Sequence, residues 1–271
     1  PEPPPQPPPP PIGGDWGKAV SFGDEAIWDD HFDYSVETLD NLGVKVARIW
    51  LEVTNVNERP NAWDNVSRDD VIRTWKGVPL AQRPVTGGLA MKRAFELKQK
   101  GFKVILTVSV KDPTPPATPQ SVTDLFQYLM DARRYSNGTG PKLKDAVDAW
   151  EVNQEVDLPS NWTPSSVDRV EGLKQYVNLE LIPAAAALHQ GDVKDWEKII
   201  SSSVSFRADD LRTILTEAQA QNALHHIDYA GYHPYGRYDP ANQINELKAR
   251  VDAAIAVAKE FGKPLAATEW N

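Results

Sequence analysis

The chain has 271 residues, of which 41% are hydrophobic and 25% charged, an ordinary composition for a globular protein of one large domain or two small ones. Its net charge of −9 argues against nucleic acid as the main partner, because phosphate binding needs a basic surface. No cysteine is present, which excludes disulfides and thiolate metal sites, and the five histidines form no HExxH pattern, so we expect no metal or cofactor. No apolar run approaches the roughly 18–20 residues that a membrane-spanning helix needs. Composition does not define the oligomeric state.

Residues 1–11, "PEPPPQPPPPP", contain nine prolines. Proline fixes φ and has no N–H to donate, so this segment is predicted to form an extended polyproline II arm. A linker is favoured over a ligand for a proline-binding module. Such an arm is typical of exported enzymes, and on that ground we expect a secreted or cell-surface protein whose folded domain covers residues 12–271.

Three segments of the chain have the same order of helix, glycine and strand. In each one an amphipathic stretch leads to a glycine where a helix C-cap needs a left-handed residue, and a short apolar run follows. Near-continuous apolar strands are typical of a parallel sheet that helices cover. The segments are "LDNLGVKVARIW" (39–50), "AFELKQKGFKVILTVSV" (94–110) and "AIAVAKEFGKPLAATEW" (254–270), and their glycines are Gly43, Gly101 and Gly262.

The remaining elements extend this alternation along the chain. We predict strands at 17–22, 147–154, 198–205, 227–233 and 264–270, and helices at 120–135, 165–189, 208–221 and 242–261. The helix at 165–189 is expected to start at a Ser165/Ser166 cap and to kink or break at Pro183. The last helix has apolar residues at helical spacing, namely Ile244, Leu247, Val251, Ile255 and Ala258.

Alternating strands and helices predict a parallel α/β fold, and seven units without a GxGxxG turn favour a (β/α)₈ TIM barrel over a dinucleotide-binding fold. Only seven units are visible in the sequence. We expect the eighth strand to be missing from this chain, and a true seven-stranded barrel is the alternative. Long inserts at 52–86 and 111–120 fall on the face where barrel enzymes keep their active sites.

Two carboxylates are predicted at the ends of strands on that face. Glu155 ends the fourth strand and Glu269 ends the seventh. A protonated acid and an ionised one across a pocket are what glycosidic bond cleavage requires. Arg48 from the second strand and Tyr235 after the sixth could hold Glu269 ionised by charge and hydrogen bonding.

Other polar and aromatic residues are predicted to lie at the same rim. His233 ends the sixth strand. Four tryptophans are candidates for stacking on sugar faces, with core packing as the alternative for each: Trp50, Trp63, Trp162 and Trp270. The run "HHIDY" (225–229) favours a structural role, with Asp228 a candidate for the barrel interior.

The stretch "WEVNQEVD" (150–157) contains three acids with different predicted environments. Glu151 has the strand parity of Glu155 but lies deeper, so a buried partner is expected, either Arg48 or Lys103. Asp157 is predicted to lie on the loop surface.

Together these motifs resemble clan A of the glycoside hydrolases, and they lean towards family 39 more than family 51. "WEVNQE" is similar to the acid/base strand, "ATEWN" to the nucleophile strand, "ARIW" to the second strand and "YHPY" to the sixth. The resemblance implies a retaining mechanism, in which Glu269 forms a glycosyl-enzyme and Glu155 acts first as acid and then as base. It also implies that Trp270 and the residue before Glu155 help to bind the sugar.

One residue departs from the clan's pattern, because Gln154 stands where the clan has asparagine. Either Gln154 or its neighbour Asn153 would supply the amide that contacts the sugar. We therefore expect a retaining glycoside hydrolase that acts, by endo-cleavage, on a polysaccharide or oligosaccharide. A non-catalytic carbohydrate-binding barrel is the alternative, and the convergent acids argue against a mere scaffold.

Overall fold

The computed structural model describes residues 19–22, 29–53, 87–110, 117–135, 138–158, 168–190, 198–205, 207–235 and 243–269. Seven strands follow one another in the chain: β1 Ala19–Phe22, β2 Val46–Val53, β3 Lys103–Val110, β4 Ala149–Val152, β5 Lys198–Ile200, β6 Ala230–Tyr232 and β7 Leu265–Ala267. The Pro-rich residues 1–11 and most of the two long inserts lie outside the described part of the chain.

All the strand pairs described are parallel. Strands β1 to β5 form one sheet in chain order, and β6 pairs with β7. Two bridges, Ile200 to Tyr229 and Val204 to Tyr232, join the fifth strand segment to the sixth. Among the described strands, β1 and β7 are the two outermost. The predicted α/β barrel with seven βα units is therefore confirmed.

Helices fill the connections between the strands: α1 Asp29–Asn41, α2 Gly87–Gln99, α3 Pro119–Asp131, α4 Arg169–Tyr176, α5 Ile182–Gln190, α6 Ala208–Ala220 and α7 Gln243–Glu260. Short 3₁₀ turns occur at Leu143–Asp145 and Leu224–His226. The three predicted C-cap glycines are confirmed, with φ of 68° at Gly43, 84° at Gly101 and 66° at Gly262. A side chain there would be forced into the left-handed region, which costs about 1 kcal/mol or more.

The fifth strand is shorter than predicted. Its regular pairing ends at Ile200, and the following serines also bond through their hydroxyl groups. Ser201 Oγ accepts from the N–H of Gly231 at 3.0 Å, and Ser203 Oγ donates to Glu151. Hydroxyl groups that bond in this way compete with a continuous strand ladder. Single bridges at Ser203 and Val204 carry the segment on towards the rim.

The predicted break at Pro183 is replaced by a π-helical turn. Residues Val177–Leu181 form this turn between α4 and α5, and the N–H of Ile182 bonds to the carbonyl of Val177. Pro183 has no N–H for the carbonyl four residues before it, and the wider turn keeps the helical path continuous through this point. At the start of α4 the described cap is Asp168, which accepts from the N–H of Val170, while Ser165 and Ser166 lie outside the described residues.

Two apolar clusters lie on opposite faces of the sheet. The larger one packs the sheet against the helices, with Ile49, Leu106 and Trp150 among its fully buried members. The smaller one lies inside the barrel and contains Val46, Ile105, Ala149 and Ile200. The helical spacing predicts that Ile244 faces the core, but it is 82% exposed in the first turn of α7. Within the described residues, no helix is long and apolar enough to cross a membrane.

Candidate active site

Polar side chains form a layer directly above the apolar interior cluster. Two residues further along their strands, Arg48, Thr107 and Glu151 follow the cluster members Val46, Ile105 and Ala149. Side chains two apart point to the same face of a strand, so these three enter the barrel from β2, β3 and β4. Parallel strands carry their C-terminal ends to one rim, and the polar layer therefore leads towards that rim.

Arg48 is the centre of this layer. Its Nε donates to Glu151 Oε2 at 2.7 Å, its Nη1 to Glu269 Oε2 at 3.2 Å and its Nη2 to Gln154 Oε1 at 3.0 Å. Three acceptors on one rigid planar guanidinium fix the relative positions of strands two, four and seven. The predicted convergence of Arg48 and Glu269 is thus present in the structure.

Glu151 is a fully buried carboxylate whose oxygens are all engaged. Besides Arg48, it accepts from Thr107 Oγ1 at 2.5 Å, from Thr268 Oγ1 at 2.9 Å and from Ser203 Oγ. Burial tends to raise the pKa of Glu151, but the Arg48 charge and these hydrogen bonds outweigh it and lower the pKa below its usual value. The prediction of a buried structural partner is confirmed, and the partner is Arg48, since Lys103 is exposed.

Glu155 lies at the rim and is only partly buried. Its backbone is left-handed, with φ of 48°, and its N–H donates to the carbonyl of Ser203 at 2.7 Å. One carboxylate oxygen lies 3.1 Å from His233 Nδ1. Burial favours a higher pKa for Glu155, yet the hydrogen bonds of His233 and Tyr235 prevail and the pKa is lowered.

Tyr235 connects the two predicted catalytic acids. Burial first, and then hydrogen bonds to Glu155 and Glu269, raise the pKa of its hydroxyl far above the usual value. The hydroxyl also lies 3.1 Å from His233 Nδ1, while His233 Nε2 lies 3.0 Å from Thr268 Oγ1. Glu155 and Glu269 therefore lie at the same rim, and the Tyr235 hydroxyl is near both.

The two predicted amide residues have different surroundings. The carbonyl oxygen of the Gln154 side chain is held by Arg48, which leaves its NH₂ as the group with no bond to a described residue. Asn153 is completely buried, and its Nδ2 donates to the Val110 carbonyl at 3.1 Å and to Glu180 at 2.8 Å. Of the two amides, that of Gln154 therefore has a donor group that bonds to no described residue.

The tryptophans predicted for sugar stacking are only partly described. Trp50 is half-buried, and the Arg48 guanidinium carbon lies 5.1 Å from the centre of its ring. Its Nε1 is buried and has no hydrogen-bond partner among the described residues. Trp63, Trp162, Trp270 and Asn271 lie outside those residues. Asp228 accepts from the N–H of Ile199 at 2.9 Å, which supports the structural role predicted for "HHIDY".

The prediction that Asp157 lies on the loop surface is wrong. Only 3% of it is exposed, and both carboxylate oxygens accept from the N–H of Ser205 at 3.0 Å. The turn after Glu155 brings Asp157 back against the fifth strand segment. Burial, the largest influence, raises its pKa to about 6.

Several other polar members of the site do not follow from the motifs. Ser203 and Thr268 bond to Glu151, and Glu180 bonds to Asn153. Strand parity could have indicated Thr268, since it comes two residues after Ala266, which packs against the interior cluster. Glu180 gives no such signal, because it lies within an ordinary helical pattern. Across the described ranges, no group of three or more His, Asp or Glu residues is arranged to hold a metal ion.

The fold is similar to that of solved glycoside hydrolases. The family 51 α-L-arabinofuranosidase AbfB from Bifidobacterium longum matches with a TM-score of 0.55 and 17% identity, over 94% of this chain and 55% of its own. The GH39 enzyme from Xanthomonas axonopodis pv. citri matches with a TM-score of 0.56 and 18% identity, over 93% of this chain and 50% of its own. A monomeric β-xylosidase from Caulobacter crescentus CB15 matches with a TM-score of 0.58 and 15% identity, over 93% of this chain and 51% of its own.

This chain spans about half the length of each of these proteins. No protein-family profile and no curated protein sequence matches it. The structural likeness nevertheless agrees with the strand-end motifs, which resemble those of clan A. The chain has the α/β barrel fold seen in these solved glycoside hydrolases.

Proposed function

We propose that the chain is a retaining glycoside hydrolase that cleaves a polysaccharide or oligosaccharide by double displacement. The observation that carries the proposal is the convergence of two carboxylates at one rim, where Arg48 holds Glu269 at 3.2 Å and His233 Nδ1 lies 3.1 Å from Glu155. Retaining enzymes have carboxyl groups about 5–5.5 Å apart, and inverting enzymes about 6.5–9.5 Å apart. The retaining arrangement is proposed from the resemblance of "WEVNQE" and "ATEWN" to the catalytic strands of clan A.

Glu269 is the nucleophile in this proposal. The Arg48 guanidinium at 3.2 Å pairs its carboxylate with a positive charge, and Tyr235 supplies a hydrogen bond. In the first step the Glu269 carboxylate bonds to the anomeric carbon while the glycosidic oxygen leaves with a proton from Glu155. In the second step Glu155 takes a proton from water, which displaces Glu269 from the sugar.

Glu155 must be protonated for the first step, although its pKa is lowered in the free site. A sugar that fills the rim excludes water and removes solvent from the carboxylate, which raises its pKa towards that of a general acid. In the second step the lowered pKa is an advantage, because Glu155 must then be ionised. The substrate therefore provides part of the environment that Glu155 needs.

Two features guide the choice of substrates. The structural relatives are named as an α-L-arabinofuranosidase and a β-xylosidase, so pentose glycosides are the first candidates. Endo-action is also part of the proposal, and it rests on the long inserts and tryptophans of the sequence. The NH₂ of Gln154 would donate to a sugar hydroxyl, one methylene further out than an asparagine would.

A non-catalytic carbohydrate-binding barrel is the second candidate. It is favoured by Gln154 in place of the clan's asparagine and by the lowered pKa of Glu155 in the free site. In that case the polar layer would hold a sugar without completing the reaction. Binding without turnover would distinguish this candidate from a hydrolase.

The test compares the wild-type protein with Glu269→Gln on aryl pentosides, aryl hexosides and a polysaccharide panel. We expect Glu269→Gln to lose at least about a thousandfold in turnover, as removal of a nucleophile does, and to keep oligosaccharide binding by calorimetry. Glu37→Gln, at an exposed position on α1, is the matched control and keeps full activity. Proton NMR of the first product should show the anomeric configuration of the substrate. Wild-type turnover that survives in Glu269→Gln would contradict the proposal, and binding without any turnover would favour the second candidate.

A further inference from the structure

Glu180 is a buried acid that the proposed reaction does not use. It lies in the π-helical turn Val177–Leu181 and is 1% exposed. Its Oε2 accepts from Asn153 Nδ2 at 2.8 Å, and its Oε1 is buried without a hydrogen-bond partner among the described residues. π-helical turns often occur at functional sites, and this one places a carboxyl group directly behind the acid/base strand.

Asn153, the partner of Glu180, is the residue that begins the turn at the end of β4. Its φ is 62°, which few residues other than glycine adopt readily. Its side-chain oxygen accepts from the N–H of Gln154 at 2.8 Å and from Ser109 Oγ at 3.3 Å. Its Nδ2 is shared between Glu180 and the carbonyl of Val110. Every polar atom of this amide therefore holds the local backbone in place.

The turn that Asn153 begins determines where the catalytic groups point. Gln154 comes next and reaches Arg48, and Glu155 follows with a second left-handed φ of 48°. The left-handed φ of Glu155 costs about 1–2 kcal/mol relative to ordinary backbone and that of Asn153 costs less, so surrounding contacts help to hold this turn. The Glu180–Asn153 hydrogen bond is one of those contacts, and it comes from outside the barrel.

The protonation state of Glu180 suits this role. Burial is the dominant influence and raises its pKa to about 8, against the smaller opposing effect of the Asn153 bond. The carboxyl group is therefore neutral at neutral pH and adds no unpaired charge to the core. Tyr176, one turn earlier, is also buried, and burial raises the pKa of its hydroxyl well above the usual value.

We propose that Glu180 is a positioning residue that holds Asn153 in its left-handed conformation and thereby aims Glu155 at the leaving group. The proposal deepens the glycosidase function proposed above and rests on it. In this proposal Glu180 does not contact the sugar. It acts through the Asn153 side chain and the turn that Asn153 begins.

The test uses two leaving groups in the full-length protein. The substrates are the phenyl and the 2,4-dinitrophenyl glycoside of the sugar that the wild type cleaves best. Phenol needs a proton from Glu155 as it leaves, whereas dinitrophenolate does not, so kcat/KM on the pair reports how well Glu155 is aimed. Misplacing a catalytic group by about 1 Å costs up to about a hundredfold, and we expect Glu180→Ala to lose about 10–100-fold on the phenyl glycoside and little on the other.

Two further variants separate positioning from general damage. Glu180→Gln keeps a carbonyl for Asn153 Nδ2 and should restore kcat/KM on the phenyl glycoside. Glu171→Ala, an exposed acid on α4, is the matched control and should leave both substrates unaffected. Should Glu180→Ala fail to fold, Asn153→Gly tests the same contact, because glycine tolerates the left-handed φ and removes the amide. It should show the same selective loss on the phenyl glycoside, and equal losses on both substrates would contradict the proposal.

Other outcomes overturn the proposal. Equal losses on the two substrates, or no rescue by Glu180→Gln, would mean that Glu180 only supports stability. Glu155→Ala provides the reference, since it removes the acid itself and should show the largest leaving-group dependence. If kcat/KM of Glu155→Ala does not depend on the leaving group, the proposed function fails. If Glu155→Ala shows that dependence and Glu180→Ala does not, only the inference about Glu180 fails.

Discussion

Arg48 and Glu151 form an ion pair that is closed to solvent, with Nε 2.7 Å from Oε2 and neither side chain exposed. Removing two charges from water is unfavourable unless their remaining donors and acceptors are also bonded. Arg48 meets this condition through Gln154 and Glu269, and Glu151 through three hydroxyl groups. The ion pair therefore helps to position the acids at the rim.

Replacing Arg48 should damage stability and activity together. Arg48→Met leaves Glu151 buried without a cation, and we expect the free energy of unfolding to fall by about 3–5 kcal/mol. Arg48→Lys retains the charge and should lose less stability, but one ammonium cannot hold Gln154 and Glu269 together, so turnover should still fall. Urea unfolding and kcat measure the two effects.

A second buried arginine provides the control for this prediction. Arg93 lies on α2 with its guanidinium 4.1 Å from the centre of the Phe32 ring, outside the candidate site. Arg93→Met should cost less stability and leave turnover per folded molecule unchanged. An Arg48→Met protein as stable and as active as Arg93→Met would contradict the central role given to Arg48.

Tyr235 should control the pH dependence of cleavage through Glu155. Its hydrogen bond stabilises the ionised carboxylate and is one of the influences that lower the pKa of Glu155. Tyr235→Phe removes that bond, so the pKa should rise and the alkaline limb of kcat/KM should move to higher pH. Glu155 must be protonated to act as an acid, which fixes the direction of the shift.

The measurement is a pH profile of kcat/KM on the phenyl glycoside. Tyr34→Phe, at an exposed position on α1, should reproduce the wild-type profile. A limb that moves to lower pH in Tyr235→Phe would mean that the tyrosine bond favours the protonated form of Glu155.

Much of the site could be predicted from the sequence because strand periodicity determines which side chains share a face. That rule places Arg48 and Glu151 inside the barrel, the end of the seventh strand places Glu269 at the rim, and the left-handed glycines mark the helix ends. It fails where the backbone leaves the strand, and it therefore predicts a surface position for Asp157, which a turn returns to the core. It also fails for Glu180, whose π-helical turn arises from tertiary packing and Pro183 and has no periodicity of its own.

Gly231 is a position where the sequence cannot vary for reasons of space. A Cβ there would overlap the Ser201 carbonyl oxygen and lie 2.7 Å from Ser203 Oγ. Because the carbonyl belongs to the backbone, the fifth strand segment would have to move, and Ser203 with it. Gly231→Ala should therefore destabilise the protein by about 1–3 kcal/mol, as overpacking does, and reduce turnover through the Ser203–Glu151 bond.

A different glycine separates crowding from backbone strain. Gly43 has a left-handed φ of 68° but no atom within 4 Å of an added Cβ. Gly43→Ala should cost about 1 kcal/mol of stability and nothing in turnover. Thermal unfolding and kcat of the two variants distinguish crowding from backbone strain. Full activity in Gly231→Ala would show that the serine segment adapts without disturbing the site.

Asp157 should make stability fall as the pH rises through the acid range. Its pKa is raised from 3.8 to about 6, chiefly by burial, so the folded state holds this proton more tightly than the unfolded state. The free energy of unfolding then decreases between about pH 4 and pH 6, by up to about 3 kcal/mol from this group alone. Asp157→Asn keeps an acceptor for the N–H of Ser205 and should remove that part of the slope, whereas Asp209→Asn, exposed on α6, should leave it intact. Urea unfolding at pH 4 to 8 tests this, and an unchanged slope in Asp157→Asn would assign the titration to its neighbour Asp210, whose pKa burial also raises.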